Sequence, residues 1–472
     1  MITCKFGGSS VGDGRRIQDV ARIVAATNGR YGVGPVVVSA MSGVTDKLVE
    51  AATRAAAGEG DLFPATAEAL WAQHQEAAEI CLADAERRAQ ALAAIRRHLD
   101  TLVSLCRSIY VLGECTPRAL DLVSGLGERM SIHLVAGALQ EIGCPAEAVE
   151  ATSCVVTSDR FGAAEPLWED TRRCTRERLL PLLAKGITPV VTGFIGATKA
   201  GVPTTLGRGG SDYSGAIVGS ALDAKEIWIW TDVNGVMTAD PRIVPEARTL
   251  PEISYLEAAE LSYFGAKVLH PKTVRPAIER AIPVRIKNTF EPEHPGTLIV
   301  SQPKPSTHAV KAITAIRNLS MITVEGRGMM GVPGIAAKVF TAVARAQVSV
   351  LMISQSSSEQ NICLVIPQEA TARALSALQA NLAPELGEHD IERVDALSPV
   401  AIVAIVGAGM RGTPGVSGRA FTALGRAGIN IIAIAQGSSE YNISFCVDQD
   451  RMAEAVRLIH AEFDLGTPNG HS

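Results

Sequence analysis

No run of apolar residues in this chain approaches the ~18 that a membrane-crossing helix needs, so a membrane role is not expected. Dense blocks of Lys or Arg are also missing. The formal net charge of −5 leaves no positive footprint for nucleic acid and favours small-molecule chemistry. The nine cysteines stand singly, without a CxxC pair or the density of a disulfide scaffold, and are expected to be reduced, mostly buried thiols in the cytoplasm. No N-terminal stretch has the charged and apolar regions of a signal peptide, so the mature chain is expected to start near Met1. Aromatic residues make up only 4% against 47% hydrophobic, so the core must be built from small aliphatic side chains and glycine, which suits closely packed α/β layers and argues against disorder. GxxxxGK followed by Ser or Thr occurs nowhere, which removes a Walker A loop from consideration.

What is present is a 472-residue chain, long enough for two to four domains. Residues 2–6 and 36–39 read as strands, and helices begin near Arg15 and Asp46, a βαβα opening. Residues 65–139 turn Ala-rich, with Leu92, Ile95, Leu99, Leu102 and Leu105 at three- and four-residue spacing, a helical excursion. Strand patterns return at 188–194 and 227–231 around a Gly-rich turn, as in parallel sheets. The Pro/Ser-rich stretch 301–307 has linker composition. Beyond it the chain repeats itself: GVPGIAAKVFTAVARAQVSVLMISQSSSEQNI from Gly331 matches GTPGVSGRAFTALGRAGINIIAIAQGSSEYNI from Gly412. Each copy reads strand, Gly-rich turn, helix, strand, turn, strand, helix, and two copies make a paired domain rather than a solenoid.

Both copies carry GxGxxG, at Gly326, Gly328 and Gly331 and at Gly407, Gly409 and Gly412. A dinucleotide-binding turn would need Asp or Glu at the end of the next strand, and neither copy has one, so these glycines are read as structural.

Four constellations carry chemistry. Lys5-Phe6-Gly7-Gly8-Ser9-Ser10 ends the first strand with a lysine, then two glycines, then two serines able to cap the next helix. Glycines let backbone N–H groups approach an anion, a helix N-terminus adds partial positive charge, and Lys5 adds a full one. An ordinary strand-to-helix turn has the same pattern. Gly207-Arg208-Gly209-Gly210-Ser211-Asp212-Tyr213-Ser214 opens a helix placed at 216–222, with Arg208 suited to a carboxylate and Asp212 to orienting a lysine or ligating Mg²⁺. Loops at the carboxyl ends of parallel strands converge, so both turns are expected at one site. The third is WTDVNGV with ADPR, where Thr231 and Asp232 could meet a nucleotide's polar edge; the fourth is FGAKVLHP, where Lys267 could meet its phosphates. Alone, each is more often a turn or a solvated lysine. His270 lies in no metal-ligand spacing, and no protein metal site is expected.

Taken in order, KFGGSSV, LGRGGSDYS, WTDVNGV, ADPR and LSYFGAKVLHPKTV resemble the signature blocks of aspartate kinases over the whole chain. The resemblance implies an α/β amino-acid-kinase fold, an αβα sandwich with a mainly parallel central sheet, followed by two α+β ACT domains of ferredoxin-like form. Boundaries are expected at 1–300 for the kinase domain, 301–309 for a linker, and 310–390 and 391–466 for the ACT repeats. Glutamate 5-kinases and acetylglutamate kinases share the fold, but the paired repeats and FGAKVLHP favour aspartate kinase. The implied reaction is ATP-dependent phosphorylation of the L-aspartate side-chain carboxylate to 4-phospho-L-aspartate, with Mg²⁺, at the head of Lys, Thr and Met biosynthesis.

By matching position, the resemblance implies that Lys5, Gly7 and Gly8 contact the ATP phosphates, with Lys5 catalytic and Asp212 organising it. Ser39, Thr45, Glu128, Arg208, Gly209, Gly210 and Ser211 would hold aspartate, Glu128 at its ammonium and Arg208 at its α-carboxylate. Thr231, Asp232, Arg242, Lys267 and Val268 would bind ATP, with Met237 where many relatives place a Tyr near the nucleotide.

Gln355 and Gln436 occupy equivalent places in ISQSSSE and IAQGSSE, where an amide can donate to and accept from an amino-acid effector. The QxSSE pattern resembles threonine-responsive enzymes; lysine-responsive ones tend to carry an acidic residue where this chain has Leu351, so threonine is favoured and lysine second. Sheet edges of the repeats suggest a homodimer or larger assembly. A fused homoserine dehydrogenase is not expected, because only a short tail follows the repeats. The rival reading is an amino-acid sensor with a degenerate kinase domain, against which Lys5, Arg208, Asp212 and Lys267 are all intact.

Overall fold

Three consecutive valines show how the N-terminal region is layered. Val36 and Val38 pack into one core with the helices Gly14–Tyr31 and Leu126–Glu141, whereas Val37 packs into another with the helices Trp168–Ala184 and Gly210–Ala221. Alternation along a strand therefore fills two layers, and strands buried on both faces read as continuous apolar runs. The computed structural model describes residues 1–266, 269, 271–303, 308–356 and 360–467. It divides into one unit of Met1–Val236, Pro251–Tyr255 and Leu269–Pro303, and a second of Met237–Leu250, Leu256–Val268 and Lys304–Ser472.

The first unit holds an eight-stranded sheet in the order β3 (Ala146–Val149), β5 (Thr188–Thr192), β2 (Val36–Val38), β1 (Ile2–Phe6), β8 (Glu226–Thr231), β10 (Val284–Asn288), β11 (Thr297–Val300), β9 (Glu252–Ser254). Every pairing is parallel except β10 with β11. A small sheet of β4 (Val156–Thr157), β6 (Ile195–Thr198) and β7 (Pro203–Thr205) lies beside it in sequence. The helical excursion is present as helices Leu62–Cys81, Ala85–Leu112 and Pro117–Ser124 ahead of Leu126–Glu141. The longest is bounded by chemistry: Asp84 accepts the Arg87 N–H at its start, and Gly113 turns left-handed (φ 71°) at its end.

In the second unit a six-stranded antiparallel sheet runs β13 (Met352–Gln355), β14 (Asn361–Pro367), β12 (Ala312–Glu325), β15 (Arg393–Val406), β17 (Asn442–Asp448), β16 (Ala433–Ala435). The repeats share strands. Val310 and Ile313 pack into the core of the second repeat with Val403 and Ile405, whereas Ile391 and Val394 pack into that of the first with Ile322 and Val324. This sharing accounts for the paired glycines. A Cβ on Gly326 would stand 2.2 Å from the Asp390 carbonyl oxygen, and one on Gly407 2.3 Å from that of Ala309, so glycine lets the borrowed segment pass. Among the described residues no helix is long and apolar enough to cross a membrane.

Candidate active site

The same alternation that buries Phe6 turns Thr3 and Lys5 toward the helix Gly210–Ala221. That helix is small where Lys5 meets it: a Cβ on Gly215 would lie 2.9 Å from the Lys5 Cβ. Lys5 is buried, and its Nζ reaches Asp212 Oδ1 at 2.6 Å. Asp212 sits in the first turn, where the helix dipole also favours a carboxylate. The helix starts at Gly210, earlier than the 216–222 expected from pattern, because Gly209 (φ 73°) supplies a left-handed N-cap that draws the glycine turn into the helix.

The first turn also differs from expectation. Ser9 and Ser10 do not cap the next helix; it begins at Gly14, and Asp13 caps it by accepting the Arg16 N–H at 3.0 Å. Ser10 is engaged elsewhere, its hydroxyl 2.7 Å from that of Thr289. The Gly7 N–H donates to the Trp230 carbonyl at 3.3 Å, and a Cβ on Gly8 would stand 3.1 Å from the Ala40 carbonyl, so Gly8 serves close backbone approach.

A cavity of about 700 Å³ collects these elements. Its lining includes Lys5, Gly8, Ser39, Thr45, Glu128 and the whole Arg208–Gly209–Gly210–Ser211–Asp212 run. Every residue expected to hold the acceptor is thus at one cavity. Glu128 is buried with Oε2 unpartnered among the described residues. Burial pushes its carboxyl up to about 8, opposed by the backbone N–H groups of Ala40 and Glu128 and by the charge of Lys5. Sequence reading missed several further lining residues, among them Asp121 and Phe194; neither lies in a motif, and only the chain's return to the cavity exposes them. Phe194 has φ 66° and an Ile195 N–H to Gly193 carbonyl bond of 2.7 Å across it, a strained γ-turn.

The residues expected to bind ATP are distributed differently. Thr231 and Asp232 close β8, with the Thr231 hydroxyl donating to Asp232 at 3.2 Å, and are not among the described residues lining the cavity. Their turn is held by Asn288 donating to Asn234 (2.8 Å) and Asn234 donating to Glu291 (3.0 Å). Met237 and Arg242 belong to the second unit, where Met237 bridges to Thr249 and the exposed Arg242 grips Asp240. Lys267, Val268 and His270 lie outside the described residues.

In the second unit Gln355 ends β13 and lines a cavity of about 290 Å³ with Met329, Val332, Pro333, Ile335 and Ile362. Gln436 follows β16 and is exposed.

Comparison with known proteins agrees with this architecture. The model of the amino acid kinase family matches residues 1–288, and the ACT domain model matches 322–382 and 403–463. Aspartokinase 3, chloroplastic, of Arabidopsis thaliana is 36% identical over 98% of this chain and 82% of its own length. The chain belongs to the aspartokinase family. Bifunctional aspartokinase/homoserine dehydrogenase 1, chloroplastic, of Zea mays is 38% identical over 98% of the chain, which spans about half (50%) of that relative. Among solved aspartokinase structures, E. coli aspartokinase III in complex with aspartate and ADP (R-state) has a TM-score of 0.78 at 31% identity, covering 98% of this chain and 100% of that one. The same enzyme in complex with lysine and aspartate (T-state) has a TM-score of 0.80 at 32% identity, covering 98% and 99%.

Proposed function

We propose that the chain is an aspartate kinase that moves the γ-phosphoryl group of ATP to the side-chain carboxylate of L-aspartate. The observation that carries this reading is the meeting, at one cavity, of a buried lysine–aspartate pair, a buried carboxylate with a free oxygen and an arginine in a glycine turn. The unpartnered Glu128 oxygen suits an α-ammonium and Arg208 an α-carboxylate, leaving the substrate's side chain directed at Lys5. That carboxylate is ionised at neutral pH, with a reference pKa of about 3.9, so attack on phosphorus needs no general base. Lys5 stabilises charge on the transferring oxygens while Asp212 holds its Nζ in place. The solved aspartokinase bound to aspartate and ADP supports the same pair of ligands here.

Mg²⁺ fits such a site when carried on the nucleotide phosphates, because it keeps most of its waters and takes one or two carboxylates. The described residues hold no cluster of three metal-ligating side chains, and of the carboxylates lining the cavity Asp212, beside Lys5, is the one we assign to the ion. When bound, the ion would neutralise phosphate charge. Within the first unit, Lys5, Gly7, Gly8, Thr231 and Asp232 are the residues we assign to ATP.

The cavity at Gln355 is the effector site in this reading. Its described lining offers one amide and no acidic side chain, which suits threonine; a lysine ammonium left without a partner would be penalised by desolvation, so lysine ranks second. The enzyme is read as cytoplasmic and as a homodimer or larger, since β13 and β16 are edge strands with Ile353 and Ile434 exposed. The test is ADP release with aspartate, glutamate or acetylglutamate as acceptor: aspartate should be preferred, and activity with none of them would leave the sensor reading.

A further inference from the structure

Two carboxylates line the acceptor cavity from the same stretch of chain, and hydrogen-bond bookkeeping separates their roles. Glu128 keeps one oxygen unpartnered among the described residues. Asp121, equally buried, accepts from three protein donors with both oxygens engaged: the Gly162 N–H is shared between Oδ1 at 3.0 Å and Oδ2 at 2.9 Å, the Thr205 N–H donates to Oδ2 at 2.9 Å, and the Thr205 hydroxyl donates to Oδ1 at 2.7 Å. A carboxylate so occupied has little capacity left for a substrate ammonium.

Its donors flank the arginine turn. Thr205 ends β7, three residues before Arg208, and Gly162 belongs to the loop that lies against that turn. The Ala164 N–H donates to the Thr205 carbonyl at 2.9 Å, and a Cβ on Gly207 (φ 77°) would stand 3.1 Å from the Gly162 carbonyl oxygen and 3.5 Å from the Ala163 Cα. Asp121 therefore holds together the two backbone segments from which Arg208 projects.

We infer that Asp121 is a positioning residue for acceptor binding, acting through Arg208 rather than on substrate; this rests on the aspartate kinase reading above. Preorganised charge is worth most when its mounting is rigid, so loosening the mount should weaken the grip on the α-carboxylate while sparing nucleotide affinity. Asp121→Asn keeps size but puts an NH₂ where N–H and O–H donors converge, and Thr205→Val removes one donor alone. In steady-state assays Asp121→Asn should raise KM for aspartate about tenfold or more, with KM for ATP within about twofold, and Thr205→Val should do the same more weakly. In the double variant with Arg208→Ala, KM for aspartate should be no worse than with Arg208→Ala alone, because both changes remove one interaction. Thermal melts and circular dichroism establish that the variants are folded at the assay temperature. An unchanged KM for aspartate, equal losses for both substrates, or effects that multiply in the double variant would each overturn the inference. If the wild-type chain fails to phosphorylate aspartate, the functional reading itself falls, and this inference with it.

Discussion

Lys5 Nζ and Asp212 Oδ1 lie 2.6 Å apart, joining the end of the first strand to the first turn of a helix more than two hundred residues later. The lysine is buried and the carboxylate half-buried, so the pair is shielded enough to hold the ammonium in one place but open enough to meet a phosphate.

Lys5→Met should lower kcat for ADP release by at least about a hundredfold while circular dichroism stays unchanged, because the loss falls on the transition state. Asp212→Asn should cost less, about ten- to a hundredfold, since the lysine remains but is no longer held. Near-normal turnover by Lys5→Met would rule out its catalytic role.

Glu128 predicts a pH effect. Its carboxyl ionises near 4.5 in an unfolded chain and is pushed up to about 8 by burial in the folded, substrate-free one. Between those values the folded state holds the extra proton, so stability should fall as pH rises through the window. Glu128→Gln removes this slope, and its Tm should therefore gain on wild type from about pH 5 to pH 8. Substrate ammonium favours the ionised carboxylate, so added aspartate should raise the wild-type Tm more at about pH 8 than at about pH 6. Parallel Tm profiles for the two proteins would dismiss the assignment.

If the cavity at Gln355 is the effector site proposed above, Gln355→Ala should weaken inhibition by threonine several-fold and leave uninhibited kcat intact, because coupling between separate sites is a separable free energy. Gln436→Ala is expected to act in the same direction. Inhibition by lysine alone, with threonine inert at millimolar concentration, would reassign the effector.

Inside the second unit, Lys311 donates to Glu257 at 2.9 Å, both side chains are buried, and the same glutamate accepts the Ala408 N–H at 2.7 Å. Lys311→Met removes the ammonium from beside a buried carboxylate and should lower unfolding stability by about 3–5 kcal/mol in denaturant titrations, with part of the loss recovered by adding Glu257→Leu. A change below about 1 kcal/mol would show that solvent already reaches the pair.

Much of this molecule is written in local pattern. Strand periodicity and the buried stripe of Ile95, Leu99 and Leu102 announce the layered first unit and its helical excursion, and the repeat at Gly331 and Gly412 announces the paired second unit. These follow from side-chain spacing, which a sequence displays directly. The glycine turns bearing Lys5 and Arg208 were legible as candidate anion sites from residue type alone, whereas Ser39, Thr45 and Glu128 were expected only from the family resemblance; all five line one cavity. Helix starts were less so: Asp13, not Ser9 or Ser10, made the cap, since Ser10 was claimed by Thr289 from far along the chain. Only tertiary structure decided that Gly326 and Gly407 make room for borrowed segments, that both Asp121 oxygens are engaged while Glu128 keeps one unpartnered among the described residues, and that Glu257 pairs with Lys311. The physical reason is the same in each case: local pattern reports what a residue is able to do, whereas its unmet hydrogen bonds and the space around it are set by partners that the chain brings back from a distance.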